Sequence, residues 1–254
     1  MRRPITPVIL ILLAWLFSGP AVAAPPLFSS PTSEATLLET IRQNPSPLLY
    51  AQLARLRTEK AALLYRQWET RKDPADLREA LVYADSASAL APEWDRPWAL
   101  LGMIHAQLRP DRKALELATE ALIRAVEINP ANGPSQLLLA QVLMDQGRFW
   151  SAIEQYKSLF TKSAAMVTGI NTAPLALCYI LDGRVQAGIN YFDSLAGVYP
   201  RNAAVSLPRA VLYRQAGRKQ EALQILTAVV RSSDTGMPMR KHAEALIVEW
   251  KGDK

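Results

Sequence analysis

The chain has one cysteine, Cys178, and two histidines, His105 and His242, among its 254 residues. A single cysteine excludes an internal disulfide framework, so stability must come from packing. The histidines stand 137 residues apart, and neither has Cys, Asp or Glu around it at metal-ligand spacing, which argues against a zinc site. Cys178, flanked by Leu177 and Tyr179, reads as a small buried hydrophobe; the other readings, a nucleophile or an intermolecular disulfide, require a neighbouring base or exposure. Glycine is sparse and dispersed, so no phosphate cradle forms. Carboxylates such as Glu154, Asp182 and Glu221 are scattered as on solvated helix faces. No catalytic residue, cofactor or metal is expected, and the chain reads as non-enzymatic. Sustained two-residue alternation is missing too, which excludes strands as the main element.

A long apolar run occurs once, from Val8 to Phe17. Arg2 and Arg3 precede it, Gly19-Pro20 breaks it, and Ala21-Val22-Ala23 offers small side chains to a peptidase, so residues 1–23 read as a secretory signal peptide cleaved after Ala23. Ten residues at about 1.5 Å rise reach roughly 15 Å, half the ~30 Å of hydrocarbon in a bilayer. An uncleaved anchor is the alternative, and membrane contact is expected only in that case. The expected address is outside the cytoplasm, in the periplasm. Without residues 1–23 the chain has 27 Lys plus Arg against 23 Asp plus Glu. Such a modest excess spread over helices does not imply nucleic-acid binding.

The remaining sequence repeats. Gly147-Arg148, Gly183-Arg184 and Gly217-Arg218 share a register, with Ala152 and Tyr156, Gly188 and Phe192, and Ala222 and Leu226 at matching positions after them; the glycines are 36 and 34 residues apart. Pro92, Pro130, Ala164, Pro200 and Asp234 mark unit ends at intervals of 38, 34, 36 and 34 residues. Ala80, Ala118, Ala152, Gly188 and Ala222 each lie twelve residues before one of these marks, where a small side chain lets two helices approach closely. Within a unit, apolar residues recur at helical spacing, as in Leu137, Leu138, Ala140, Leu143 and Met144, then Ile153, Tyr156, Leu159 and Phe160.

With Trp98-Ala99-Leu100-Leu101-Gly102 as its best first-helix match, this pattern resembles the tetratricopeptide repeat. The resemblance implies an all-α fold, a tetratricopeptide-like α-solenoid of about five helix pairs over residues 58–234. Departures from the pattern are His105 in place of Tyr, the absence of Leu-Gly in Lys60 to Trp68, and about four extra residues in the turn around Leu108 to Lys113. Before the array, residues 24–32 read as a flexible linker and 33–57 as a helical extension, with Ser33 capping a helix from Glu34 to Gln43. Leu48 to Arg71 has no breaker and reads as one helix or as two meeting near Thr58, the single helix being favoured. Residues 235–254 read as a C-terminal capping helix with Arg240, Lys241, Glu244 and Glu249 on its polar face.

In tetratricopeptide arrays the first helices line a groove, and the resemblance carries that groove onto Tyr65 and Glu69, then Arg96, Met103 and Gln107, then Leu137, Gln141 and Asp145, then Leu177, Ile180 and Leu181, then Leu207, Arg214 and Gln215. Paired Lys and Asn for gripping a peptide carboxylate are absent from these positions. Trp98 reads as core. Phe149 and Trp150 read as packing between second helices, or as an exposed aromatic anchor. The turn with Arg109, Arg112 and Lys113 reads as solvated. The functional expectation is an exported scaffold that holds another envelope protein or a peptide segment; the alternative is an accessory solute-binding subunit of a substrate-binding-dependent transporter.

Overall fold

The structure, a computed structural model, describes residues 33–108 and 111–252. The expected signal segment, the linker 24–32 and Arg109 lie outside them. The described residues form twelve α-helices: α1 (Glu34–Gln43), α2 (Pro47–Arg71), α3 (Pro74–Leu90), α4 (Asp95–Gln107), α5 (Arg112–Ile128), α6 (Gly133–Asp145), α7 (Phe149–Lys162), α8 (Gly169–Leu181), α9 (Val185–Val198), α10 (Ala203–Gln215), α11 (Lys219–Arg231) and α12 (Met237–Gly252). A 3-10 turn, Ala164–Met166, separates α7 from α8. No strand occurs among the described residues.

Local chemistry sets these boundaries. The side chains of Ser33, Ser46, Asp73, Asp111 and Asn202 accept a backbone N–H from the first turn of α1, α2, α3, α5 and α10, satisfying donors that a helix start leaves open. Three helices end in the same way. Gly147, Gly183 and Gly217 have φ of 73°, 72° and 78°, a region costly for any side chain with a Cβ. The next N–H then reaches back to close the helix: Arg148 to Leu143, Arg184 to Tyr179 and Arg218 to Tyr213, each at 2.9 Å. The Gly-Arg repeat in the sequence is therefore a repeated helix stop.

Leu48 to Arg71 belongs to one unbroken helix that starts a residue earlier, at Pro47. The expected limit between extension and array at residues 57 and 58 falls inside it. Thr58, buried in the middle of this helix, returns its hydroxyl to the Ala54 carbonyl at 2.7 Å, so the polar group is satisfied without a break.

The chain divides into two compact units, the first ending at Val142 and the second starting at Leu143, inside α6. In the first, α1 lies on α2 through Leu37, Ile41 and Leu53, and Arg57 Nε holds Glu34 at 2.9 Å. Helices α2 and α3 pack together, α3 leads to α4, and α4 packs on α5. Gly102 makes the last contact possible: a Cβ there would overlap Leu122 of α5. In the second unit α7 packs on α8, α8 and α9 on α10, α10 on α11, and α11 on α12. Ala80, Ala118, Ala152 and Ala222 are fully enclosed, and Gly188 is buried. Close approach at these positions is what the twelve-residue offset implies.

Candidate functional site

In the first unit, three residues expected to face a groove belong to the interior. Tyr65 is 0% exposed, Met103 3% and Leu137 5%. Helices α2 and α4 meet at Tyr65, and Gln107 Nε2 donates to Tyr65 Oη at 3.0 Å across the contact. Gln107 is spent on that bond. Glu69, Arg96 and Gln141 are half-buried at the surface. Burial raises the Glu69 carboxyl above the usual carboxylate range, with Lys72 and Arg66 pulling the other way. Trp98 is only half-buried, and its indole N–H donates to the Pro92 carbonyl at 3.1 Å, so it ties the loop to α4 instead of filling the core.

Pattern reading missed a polar clasp in this unit. Asp95 is buried at the start of α4, and its Oδ2 accepts from Asn129 Nδ2 and Asn132 Nδ2, both at 2.9 Å. Each asparagine uses its other end locally, with Oδ1 accepting from Ala131 N at 3.2 Å and from Ser135 N at 3.1 Å. The turn between α5 and α6 is thus locked to the start of α4. A signal existed: two asparagines spaced three apart in the loop after a helix, one repeat beyond an aspartate.

In the second unit the expected groove residues divide differently. Leu177 is 44% exposed and Leu181 52%, while Ile180, Leu207 and Arg214 are partly buried and Asp145 and Gln215 are exposed. Ile170, which was not singled out, is 47% exposed. Helix α8, GINTAPLALCYIL, contains no charged residue. Asn171, Thr172, Leu175, Ala176, Cys178 and Tyr179 are its buried side. Ile170, Ala173, Leu177 and Leu181 follow at steps of three, four and four residues, which puts them on one stripe of roughly 16 Å. A helix apolar on both sides is exceptional at a protein surface, where the outer face is ordinarily polar.

Around that helix the other chemical groups are occupied. The Cys178 thiol is fully enclosed and pushed up to about 12, by burial first and by the Asp182 charge second, so the thiolate is scarce near neutrality. Trp150 is 46% exposed, yet the Arg184 guanidinium lies 4.0 Å over its ring and is held by Asp182 Oδ2 at 2.9 Å. Of the two readings for this tryptophan, neither a buried helix contact nor a bare aromatic anchor describes it, because a cation covers one face. Asp193 of α9 accepts Arg209 Nε at 2.6 Å and the Tyr213 hydroxyl at 3.0 Å, fixing α10 to α9. Arg218 stacks on the other side of this network, 4.2 Å from the Tyr213 ring. Among the described residues no group of His, Cys, Asp or Glu is placed to hold a metal ion, and no helix is long and apolar enough to cross a membrane.

These features can be compared with known proteins. No family model matches the chain. A 78-residue stretch, 31% of the chain, is 33% identical to anaphase-promoting complex subunit 7 of Dictyostelium discoideum, and it spans only 13% of that protein. Among solved structures, YrrB, a tetratricopeptide-repeat protein with an unusual peptide-binding site, aligns with 84% of this chain and 100% of its own, at 15% identity and a TM-score of 0.51. MamA aligns with 70% of this chain and 91% of its own at 13% identity, with a TM-score of 0.54. The tetratricopeptide-like repeats of a putative kinesin light chain from Podosopora anserina align with 70% of this chain and 94% of theirs at 19% identity, with a TM-score of 0.51. Identities this low speak to the fold alone. With its repeated glycine stops, its small residues at helix contacts and these neighbours, the chain is an all-α protein with the helix-pair fold of the tetratricopeptide-repeat proteins.

Proposed function

We propose that the protein is an exported, non-enzymatic scaffold that holds another envelope protein, or a peptide segment of one, against the exposed face of α8. The observation that carries this reading is the uncharged stripe of Ile170, Ala173, Leu177 and Leu181, left at the surface of a helix whose opposite side is already committed to the core. Covering a Leu or Ile side chain removes apolar area from water and contributes about 1.5–3 kcal/mol when complete, so three such residues suffice to anchor a short amphipathic partner. YrrB, with its peptide-binding site, supports the choice of a peptide or protein as partner. Export rests on the sequence of residues 1–23, with cleavage after Ala23.

A photo-crosslinking residue placed at position 181, with a second at Val198 as a control, tests the docking face in living cells. Val198 is also apolar and is 69% exposed, but it lies on α9, outside the stripe. A discrete adduct from position 181 alone, abolished by Leu177→Glu, is the expected result; equal adducts from both positions, or none from 181, would remove the proposal. Mass spectrometry of the exported form reads its first residue, expected to be Ala24.

A further inference from the structure

Beside the loop that joins α11 to α12, the second unit has an open cavity of about 520 Å³, lined by Pro200 and Arg201 before α10, Ser206 within it, the last turn of α11 and Ser232 to Thr235. This volume falls in the range of small-molecule sites. The loop that forms one wall is held in place. Arg240 of α12 reaches back with Nη2 to the carbonyls of Ser232 at 2.9 Å and Thr235 at 3.4 Å. The Ser232 hydroxyl accepts from Asp234 N at 3.3 Å, and the Ser233 hydroxyl bonds Asp234 Oδ1 at 3.0 Å.

Two unmet groups line this cavity, and a third lies behind its wall. Arg231 is exposed on its rim, and its guanidinium has no partner among the described residues. Thr235 is 6% exposed in the wall, and its hydroxyl oxygen has no partner. Arg240 Nε, behind the same loop, is likewise shielded and unpaired. Buried polar atoms are ordinarily satisfied, so the Thr235 hydroxyl in the wall marks a place where a bound molecule supplies the missing partner, and the Arg231 guanidinium on the rim is placed to pair with its charge. The two arginine groups only donate and the Thr235 hydroxyl can donate as well, so an acceptor would satisfy all three.

The charges narrow the ligand further. Arg201 and Arg231 are offset by Asp234, which lies 3.7 Å from Arg201, leaving one positive charge in the lining. Helix α11 also ends here and presents the negative end of its dipole. A small ligand with a single acidic group, carboxylate or phosphate, suits that balance, and one with several does not. Around the charged groups lie the hydroxyls of Ser206, Ser232 and Ser233, which pair best with hydroxyls that both donate and accept.

We propose that this cavity binds a small hydroxylated organic anion, a sugar acid or a polyol phosphate, whose carboxylate or phosphate is received by Arg231 and Arg201 while its hydroxyls meet the serines and Thr235. The site is separate from the α8 stripe, and its test does not depend on the scaffold function.

Calorimetric titration of the full-length chain with glucuronate and with glycerol 3-phosphate provides the test, with glucose, glycerol and inorganic phosphate as controls. Saturable binding is expected for at least one of the two hydroxylated anions, and which of them binds tells carboxylate from phosphate. Glucose and glycerol should give no saturable heat, and inorganic phosphate should bind at least about tenfold more weakly than the preferred anion. Arg231→Gln should weaken binding by about tenfold or more, the effect of losing a charge-assisted bond, with no change in the thermal midpoint of the ligand-free protein because the side chain has no partner to lose. Ser206→Ala should weaken the hydroxylated anion and leave inorganic phosphate unaffected. The proposal is overturned by the absence of saturable binding with both anions, by equal affinity for the uncharged controls, or by unchanged affinity in both Arg231→Gln and Arg201→Gln.

Discussion

The Thr172 hydroxyl of α8 donates to the Ala204 carbonyl of α10 across 2.5 Å, in a fully buried contact. Ala204 is the fourth residue before Pro208, and proline has no N–H to give to that carbonyl. A helix interrupted in its own hydrogen bonding is thus completed by a side chain of its neighbour. The same hydroxyl has the Thr168 carbonyl at 3.0 Å as its second choice. Thr172→Val keeps the shape and removes the donor, so it should cost about 1–3 kcal/mol, the penalty of a stranded buried carbonyl. In a Pro208→Ala background the helix supplies its own N–H, and the penalty should shrink. Urea unfolding of the four proteins measures the coupling; equal penalties in the two backgrounds would refute it.

Gly188 of α9 illustrates how tightly these helices meet. A Cβ at this position would sit 2.8 Å from Tyr179 Cγ and 3.1 Å from Leu212 Cδ2, and both neighbours are buried. Gly188→Ala should destabilise the protein by about 1–3 kcal/mol through overpacking. Gly197, in the same helix, has nothing within 4 Å, so Gly197→Ala should be neutral or stabilising by up to about 1 kcal/mol from helix propensity. Denaturant midpoints of the two variants should move in opposite directions or differ clearly in size.

The Asp95 clasp offers a test of charge. Asn132→Asp preserves the cap on Ser135 but sets a second carboxylate against the buried Asp95, whereas Asn132→Ser preserves a cap and merely drops the bond. The aspartate variant should be the less stable by about 1 kcal/mol or more at neutral pH. Thermal melts of the two variants decide it.

His105 should make stability depend on acidity. It is half-buried on α4, its Nδ1 has no hydrogen-bond partner, and burial holds its pKa below the ordinary 6.5 while the Asp85 charge pulls weakly upward. Below 6.5 the unfolded chain therefore takes up a proton that the folded one resists. The stability linked to this residue is present above that value and is lost as the pH falls through the depressed folded-state pKa. His105→Gln should flatten part of the decline in melting temperature between about pH 7 and pH 5. Parallel curves for the two proteins would show that other groups account for it.

Cys178 should be unreactive while the protein is folded. With its thiol pushed up to about 12 and no exposed surface, a disulfide reagent should modify it only on the timescale of opening, and promptly in denaturant. Fast stoichiometric modification of the native protein would contradict the buried position.

What was legible in the sequence was what a short stretch of backbone decides for itself. Gly147, Gly183 and Gly217 announce left-handed helix stops, Pro92, Pro130 and Pro200 announce breaks, and Ser33 announces a start, because each rests on the conformational limits of one residue and a few neighbours. The spacing of these signals was enough to name the helix-pair fold. Helix α2 was harder, since Thr58 has the same identity whether its hydroxyl satisfies a carbonyl within one helix or marks a junction between two.

The identity of the outward face was decided by tertiary packing. Tyr65, Met103 and Leu137 occupy positions that could line a groove, and they are interior because neighbouring helices close over them, while Leu177 and Leu181, no different in polarity, stay exposed. The Asp95 clasp and the Thr172 bond link residues 32 to 37 positions apart, and nothing local distinguishes those side chains from solvated ones. Periodicity along a chain specifies which residues share a side of a helix; only the arrangement of the other helices specifies whether that side meets protein or water.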